Sequence, residues 1–278
     1  MLLDQQQIDE FNTNGVVVIR SFYDIETEIK PVLKAIYDII ALIAKRAGLN
    51  IERQPFALDT FDSGFLQLIE FDRNLGGVIY DAVKQIPAFL RITSSEKHER
   101  LFKQIYMTDC AAVSQGGMGI RIDIPYENRY RAPWHQEYLN QLRSRQGVVF
   151  WAPLLDITQE LGPVEFCLRS HQHGVFPVRM HDPNFPDKTG AYAMVIDNEQ
   201  ETVNRFFHSS PLLSRGDLGL AHWFVLHKSG INRSDRARWS MQMRYFNFEE
   251  ITGIENNWQG SFAVGNDPSK IHPEYFVK

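Results

Sequence analysis

The chain has 278 residues and a mass of 32.2 kDa, with 44% hydrophobic and 23% charged residues, so it can bury a large core without staples. A formal charge of −5 and a pI near 6.0, with scattered Lys and Arg, exclude the basic footprint of a nucleic-acid-binding protein. Cys110 and Cys167 fit neither a disulfide framework nor a Cys-x-x-Cys metal spacing and point to a reducing compartment.

The opening MLLDQQQIDEF has no basic or apolar leader segment. The longest apolar run, Ala35 to Ala44, contains Asp38 and is too short to cross a bilayer, so a cytoplasmic protein with no membrane partner is expected. Asp4 can cap a helix through Phe11, Asn14-Gly15 ends it, and the β-branched run from Val16 to Arg20 reads as a strand. A helix over 26–47 carries Ile29, Val32, Leu33, Ile36, Ile40 and Ile43 at helical spacing, with Gly48 as its stop. Further helices are predicted over 75–84 and 95–106, the latter capped by Ser94 or Ser95.

After Thr108 the texture changes to short runs rich in Val, Ile, Phe and Trp, broken by Gly, Pro and Asp: GIRIDIP, GVVFWAPLLDI, GPVEFCLRS, GDLGLAHWFVLH and RWSMQMRYF. Strands at this spacing without intervening helices predict an antiparallel sandwich or barrel. The stretch 178–211, with HDPNFPDKTG, reads as an irregular insertion able to cover a binding site.

His135 and Glu137 sit two residues apart, and on an extended segment both would face one ion. A lone His-x-Glu is a weak signal. The stretch from Gly216 to Tyr245 strengthens it: a Gly-Asp turn launches a strand that ends in His227, Ser229-Gly230 turns the chain, and a return strand begins near Arg238. An arginine there matches a carboxylate bidentately, and Ser229 can add a hydroxyl.

The block His227, Ser229, Gly230, Asn232, with Arg238 eleven residues after His227, resembles the phytanoyl-CoA dioxygenase-like branch of the iron(II)/2-oxoglutarate oxygenases. QIDEFNTNGVVVIRSF and FWAPLLDITQELGPVEFCLRSH resemble that family's opening helix and strand and its middle strand. The resemblance implies that His135, Glu137 and His227 hold iron(II), that Arg238 anchors the distal carboxylate of 2-oxoglutarate, and that Ser229, Trp151 and Gln136 contact the co-substrate, with dioxygen as oxidant. It also implies a mainly β fold with a helical flank: a double-stranded β-helix, or cupin-like jelly-roll. One domain over residues 1–278 would comprise a helical flank with the first strand to about 107, the jelly-roll to about 250, and a tail over 251–278.

The chain departs from the family in two places. Glu137 stands where the family has Asp, which moves the carboxylate by roughly 1.5 Å on a fixed backbone, and Arg169 stands in LRSH where the family has a small residue. A carboxylate at 137 disfavours halogenation, whose enzymes leave that position to chloride. Arg169 is a turn residue or a substrate contact; Arg121, alternating with Ile120 and Ile122, is a substrate contact if its face turns inward. His222 is expected to be packed, and His171 with His173 to lack a carboxylate partner. The expected function is hydroxylation of a small metabolite with release of succinate and CO2. The alternatives are desaturation, cyclisation or epimerisation by the same chemistry, or a cupin-like binding protein that has lost turnover.

Overall fold

The computed structural model describes residues 2–183, 185–187, 193–260 and 265–277. The first 106 residues hold six α-helices and one strand: α1 (Gln5–Asn14), β1 (Val16–Ile19), α2 (Lys30–Arg46), α3 (Phe65–Phe71), α4 (Arg73–Val83), α5 (Pro87–Thr93) and α6 (Glu96–Tyr106). Asp4 accepts from the Gln7 backbone while the Gln7 side chain accepts from the Asp4 backbone, and Gly15 ends α1 at φ 78°, a left-handed stop suited to glycine. The helix expected over 26–47 opens instead with a π-wound turn, Ile25–Ile29. Pro31 explains the difference: it has no N–H to close the preceding α-turn, and Lys30 N–H reaches back to the Ile25 carbonyl.

The remaining strands are β2 (Ala111–Val113), β3 (Gly119–Asp123), β4 (Gly147–Pro153), β5 (Val164–Cys167), β6 (Val178–Arg179), β7 (Val195–Ile196), β8 (His208–Ser209), β9 (Leu218–His222), β10 (His227–Ser229) and β11 (Arg238–Asn247), with the short helix α7 (Tyr138–Gln141) before β4. One antiparallel sheet runs β1-β9-β4-β11-β2, with β3 also on β11; a second runs β10-β5-β8. Strand alternation divides the large sheet's side chains between two layers. Val148, Phe150, Ala152, Trp239, Met241, Met243 and Tyr245 pack against the helices, where Leu33, Ile36, Phe65 and Phe102 meet them. Val149, Trp151 and Ala221 join Val164 and Phe166 of the small sheet. Burial on both faces explains why β4 is apolar throughout.

The stretch 178–211 is more regular than expected: β6 pairs with β7, and a helical turn, Glu199–Val203, precedes β8. Residues 184 and 188–192 of it lie outside the described residues. Among the described residues no helix is long and apolar enough to cross a membrane.

Two histidines belong to the core. His98 stacks on Phe150 at 4.6 Å with its Nε2 2.7 Å from the Tyr23 hydroxyl. His222 packs against Phe11, Tyr106 and Phe224, and its Nδ1 accepts from the Phe224 backbone N–H. Burial pushes both imidazoles down to about 3. Each stays neutral in the fold while its unfolded counterpart titrates near pH 6.5, so stability is lost as pH falls below that value, by about 1.4 kcal/mol per pH unit per histidine. Urea midpoints measured from pH 7.5 to 4.5 should fall steadily below pH 6.5, and His222→Gln should flatten the slope; a flat wild-type profile would refute this account.

Candidate metal centre

His135 and His227 exchange both backbone hydrogen bonds, N–H to carbonyl at 3.0 and 3.1 Å. That single antiparallel rung sets both side chains on one face, with ring centroids 4.2 Å apart. Each Nδ1 lies against the carbonyl two residues earlier, Pro133 at 2.8 Å and Val225 at 3.0 Å. A carbonyl only accepts, so Nδ1 carries the proton and each Nε2 presents a lone pair. The two Nε2 atoms stand 3.8 and 3.7 Å from Glu137 Oε1. Among the described residues, these are the one set of three His, Cys or carboxylate side chains whose donor atoms lie within 4.8 Å of one another.

Glu137 does not lie on an extended segment as expected. Its backbone is helical, φ −72° and ψ −29°, at the start of α7, and its N–H donates to the Trp223 carbonyl at 2.9 Å. The chain leaves the His135 rung and turns, so the side chain returns to the imidazoles from a bend, not along a pleat. Glu137 is 2% exposed, and its carboxylate is gripped by the guanidinium of Arg244, Nε to Oε2 at 2.8 Å and Nη2 to Oε1 at 2.6 Å. Burial opposes ionisation, but Arg244 and the two histidines outweigh it and hold the carboxyl well below the usual range. Burial, then the neighbouring His135, lowers the pKa of His227 despite Glu137. Both shifts favour the deprotonated forms that bind a metal. No local motif marks Arg244; its place on the inner row of the strand that begins at Arg238, six residues on, is the signal the sequence carries for it.

The centre opens into a cavity of about 220 Å³ whose lining includes Trp151, Ser229, Arg121, Gln242 and Arg244. None of the described residues of 178–211 is in that lining. Ile120 and Ile122 face the helices, which places Arg121 on the cavity side. Arg121 grips Asp123, Nη2 to Oδ1 at 2.8 Å, and also donates to the Tyr130 carbonyl. Arg238 is fully buried outside the lining and donates through Nη2 to Asp123 Oδ2 at 2.7 Å. Burial works against ionisation of Asp123, yet the two guanidinium groups hold its carboxyl down at about 2. Arg238 Nη1, Ser240 Oγ and Trp151 Nε1 are buried polar atoms without a hydrogen-bond partner among the described residues.

Two expected contacts lie elsewhere. Gln136 uses its whole amide on backbone: Nε2 donates to the carbonyls of Gly174 and Phe224, and Oε1 accepts from Phe176 N–H. It cross-ties loops and does not line the cavity. Arg169 is exposed, at φ 68°, with its N–H on the Asn14 carbonyl; it is a left-handed turn residue, which is why a small residue suits that position. His171 contacts the Asn12 carbonyl and His173 packs on Phe206.

The model of the family described as Phytanoyl-CoA dioxygenase (PhyH) matches residues 11–240. No curated protein sequence matches the chain. Among solved structures it is similar to the epimerase SnoN in complex with Fe3+, alpha ketoglutarate and nogalamycin RO, at 15% identity and TM-score 0.56, covering 95% of this chain and 92% of that one. It is also similar to EctD from S. alaskensis with bound Fe, at 14% identity and TM-score 0.55, covering 88% and 77%. The non-heme alpha ketoglutarate dependent carbocyclase SnoK from nogalamycin biosynthesis matches at 13% identity and TM-score 0.55, covering 88% and 84%. At these identities the likeness is one of fold.

Removal of the Arg244 charge lets burial raise the Glu137 pKa, and protons then compete with the metal. Arg244→Met should weaken Co(II) binding, by roughly tenfold or more at pH 6 and less at pH 8, in an anaerobic absorption titration. Equal losses at both pH values would show that Arg244 does not keep Glu137 ionised.

Proposed function

The chain belongs to the phytanoyl-CoA dioxygenase family of iron(II)- and 2-oxoglutarate-dependent oxidoreductases, and from that premise we propose that it oxidises an unactivated C–H bond of a small organic molecule at the His135, Glu137 and His227 centre, with hydroxylation as the outcome. The observation that carries this reading is the reciprocal rung that sets two neutral Nε2 donors beside one buried, ionised carboxylate. Two imidazoles and one carboxylate are the donor set of a non-heme iron(II) oxygenase.

The residues present also fit 2-oxoglutarate. Arg121 and Arg238 both bind the carboxylate of Asp123, which gathers two guanidinium groups at the end of the site where a distal carboxylate would lie. The partnerless Arg238 Nη1, Ser240 Oγ and Trp151 Nε1 are donors that a dicarboxylate can satisfy. Ser229 adds a hydroxyl at the cavity wall. With iron(II), 2-oxoglutarate and dioxygen bound, the centre would supply oxidation of the substrate with release of succinate and CO2. This chain's part is to hold the ligands deprotonated, to fix the co-substrate at its cationic end, and to set the substrate carbon beside the metal in a small, partly closed cavity. A jelly-roll core in one domain is the architecture consistent with this arrangement.

A second reading keeps the centre and changes the outcome. Proteins described as an epimerase and a carbocyclase share this fold, which supports epimerisation or ring closure as the alternative product of the same oxidation.

Anaerobic addition of iron(II) and then 2-oxoglutarate should develop the visible metal-to-ligand charge-transfer band. Arg238→Ala should raise the 2-oxoglutarate concentration needed by roughly 10- to 100-fold, as for loss of a charged hydrogen-bonding partner, and Glu137→Ala should abolish the band. A wild-type protein that takes up iron(II) but stays colourless with 2-oxoglutarate would overturn the reading.

A further inference from the structure

The cavity wall near Glu137 carries two glutamines whose amides can be oriented from their partners. Ser114 is fully buried; its Oγ accepts from Arg143 Nη1 at 2.8 Å and lies 2.6 Å from Gln141 Oε1. Arginine only donates, and among the described residues the acceptor in reach of that hydroxyl is the Gln141 amide, so its hydrogen goes to Gln141 and the amide atom facing it is oxygen. Gln242 Oε1 accepts from Arg244 Nη2 at 3.3 Å, and by the same argument that atom is oxygen. Both amide NH2 groups are left without an acceptor among the described residues, on side chains that line the cavity. Gln141 is only 8% exposed.

The arrangement is built closely. A Cβ at Gly117 would stand 2.7 Å from Gln141 Oε1, 2.9 Å from Ser114 Oγ and 3.1 Å from Arg244 Cδ, so a glycine is what lets the three approach. Gln242 sits directly opposite Trp151 across the β4–β11 pair, and the Trp151 indole N–H also lacks a partner among the described residues. The nearby acceptor, Glu137, has both oxygens gripped by Arg244 and one of them faced by the imidazoles. The two amide NH2 groups are thus the hydrogens this wall offers to a ligand. Its cation, Arg244, is paired with the Glu137 carboxylate, whereas the other end gathers the two guanidinium groups of Arg121 and Arg238 around Asp123.

We propose that the Gln141 and Gln242 wall is the substrate subsite and that it selects an uncharged molecule presenting carbonyl, ether or hydroxyl oxygens to the two amides beside the metal ligands; this deepens the oxygenase reading and rests on it. An ammonium group has no lone pair with which to accept from either amide. A carboxylate is drawn to the cationic end, where the co-substrate competes for it.

The test uses four ring fragments of one size, cyclohexanone, cyclohexanol, cyclohexylammonium and cyclohexanecarboxylate, on Co(II)-loaded protein saturated with 2-oxoglutarate. Paramagnetic relaxation of fragment protons reports binding near the metal, and saturation transfer on metal-free protein reports binding alone. Cyclohexanone and cyclohexanol should bind roughly tenfold more tightly than the charged pair, as for one or two gained hydrogen bonds. Gln141→Met with Gln242→Met should erase that preference, and Gln242→Glu should turn it toward cyclohexylammonium. The single Gln242→Met variant, at a partly exposed position, serves if the double variant melts early. Equal binding of all four fragments, no binding by any, or a preference untouched by the substitutions overturns the proposal. If saturation transfer shows the preference while Co(II) fails to bind, the oxygenase reading falls and the donor wall stands.

Discussion

The backbone rung between His135 and His227 is the constraint on which the site depends. It joins a segment that leaves the large sheet to the first strand of the small one, so the ligands stand at the seam between sheets. Two further backbone bonds extend the seam, Glu137 N–H to the Trp223 carbonyl and Ser229 N–H to the Ala132 carbonyl. Ligand spacing is thereby set by main-chain geometry, which side-chain motion cannot relax. The imidazoles add their own restraint, since each Nδ1 is tied to a carbonyl of its own segment and cannot rotate away without leaving a polar group unpaired.

Charge pairing on the inner row of β11 organises the rest. Arg238, Ser240, Gln242 and Arg244 alternate toward the cavity over about 20 Å of strand at 3.4 Å per residue. One end carries the Arg238, Asp123 and Arg121 cluster, the other the Arg244 and Glu137 pair. Buried ions are costly unless paired, and the two clusters solve that problem differently. A pair with no net charge suits a ligand that must share its carboxylate with a metal. Two cations around one anion suit a place where an anionic co-substrate arrives.

Much of this was legible in the sequence because it rests on short-range signals. The Asp4 cap and Gly15 stop, the helical stripe of α2, and the switch to strand texture after Thr108 are local patterns, and each corresponds to an observed element. The candidate triplet that the structure brings together was legible because His135 and Glu137 are neighbours and His227 lies before a turn. What was not legible depends on long-range register. Arg244 reaches Glu137 across 107 residues, and Asp123 is set opposite Arg238 by the β3–β11 pairing, which no local pattern announces. Gln136 was misplaced for a related reason: adjacency to two ligands suggested the cavity, but the bend at Glu137 turns its amide toward the loops.

The bend also bears on why a glutamate can stand where relatives carry aspartate. A carboxylate approaching from a turn, restrained at both oxygens by a guanidinium, need not sit at the reach dictated by a pleated strand, and the extra torsion of Glu is removed by the Arg244 fork. Given such a centre, the fate of the substrate is decided by which carbon is held near the metal and how firmly. Folds like this one appear in proteins described as an epimerase and a carbocyclase, so the fold does not choose among outcomes. The choice lies with the groups that fix the substrate in the cavity, and a wall of oriented amide donors fixes a molecule by its oxygen atoms, leaving the C–H bond to be placed by the distance from those oxygens to the reacting carbon.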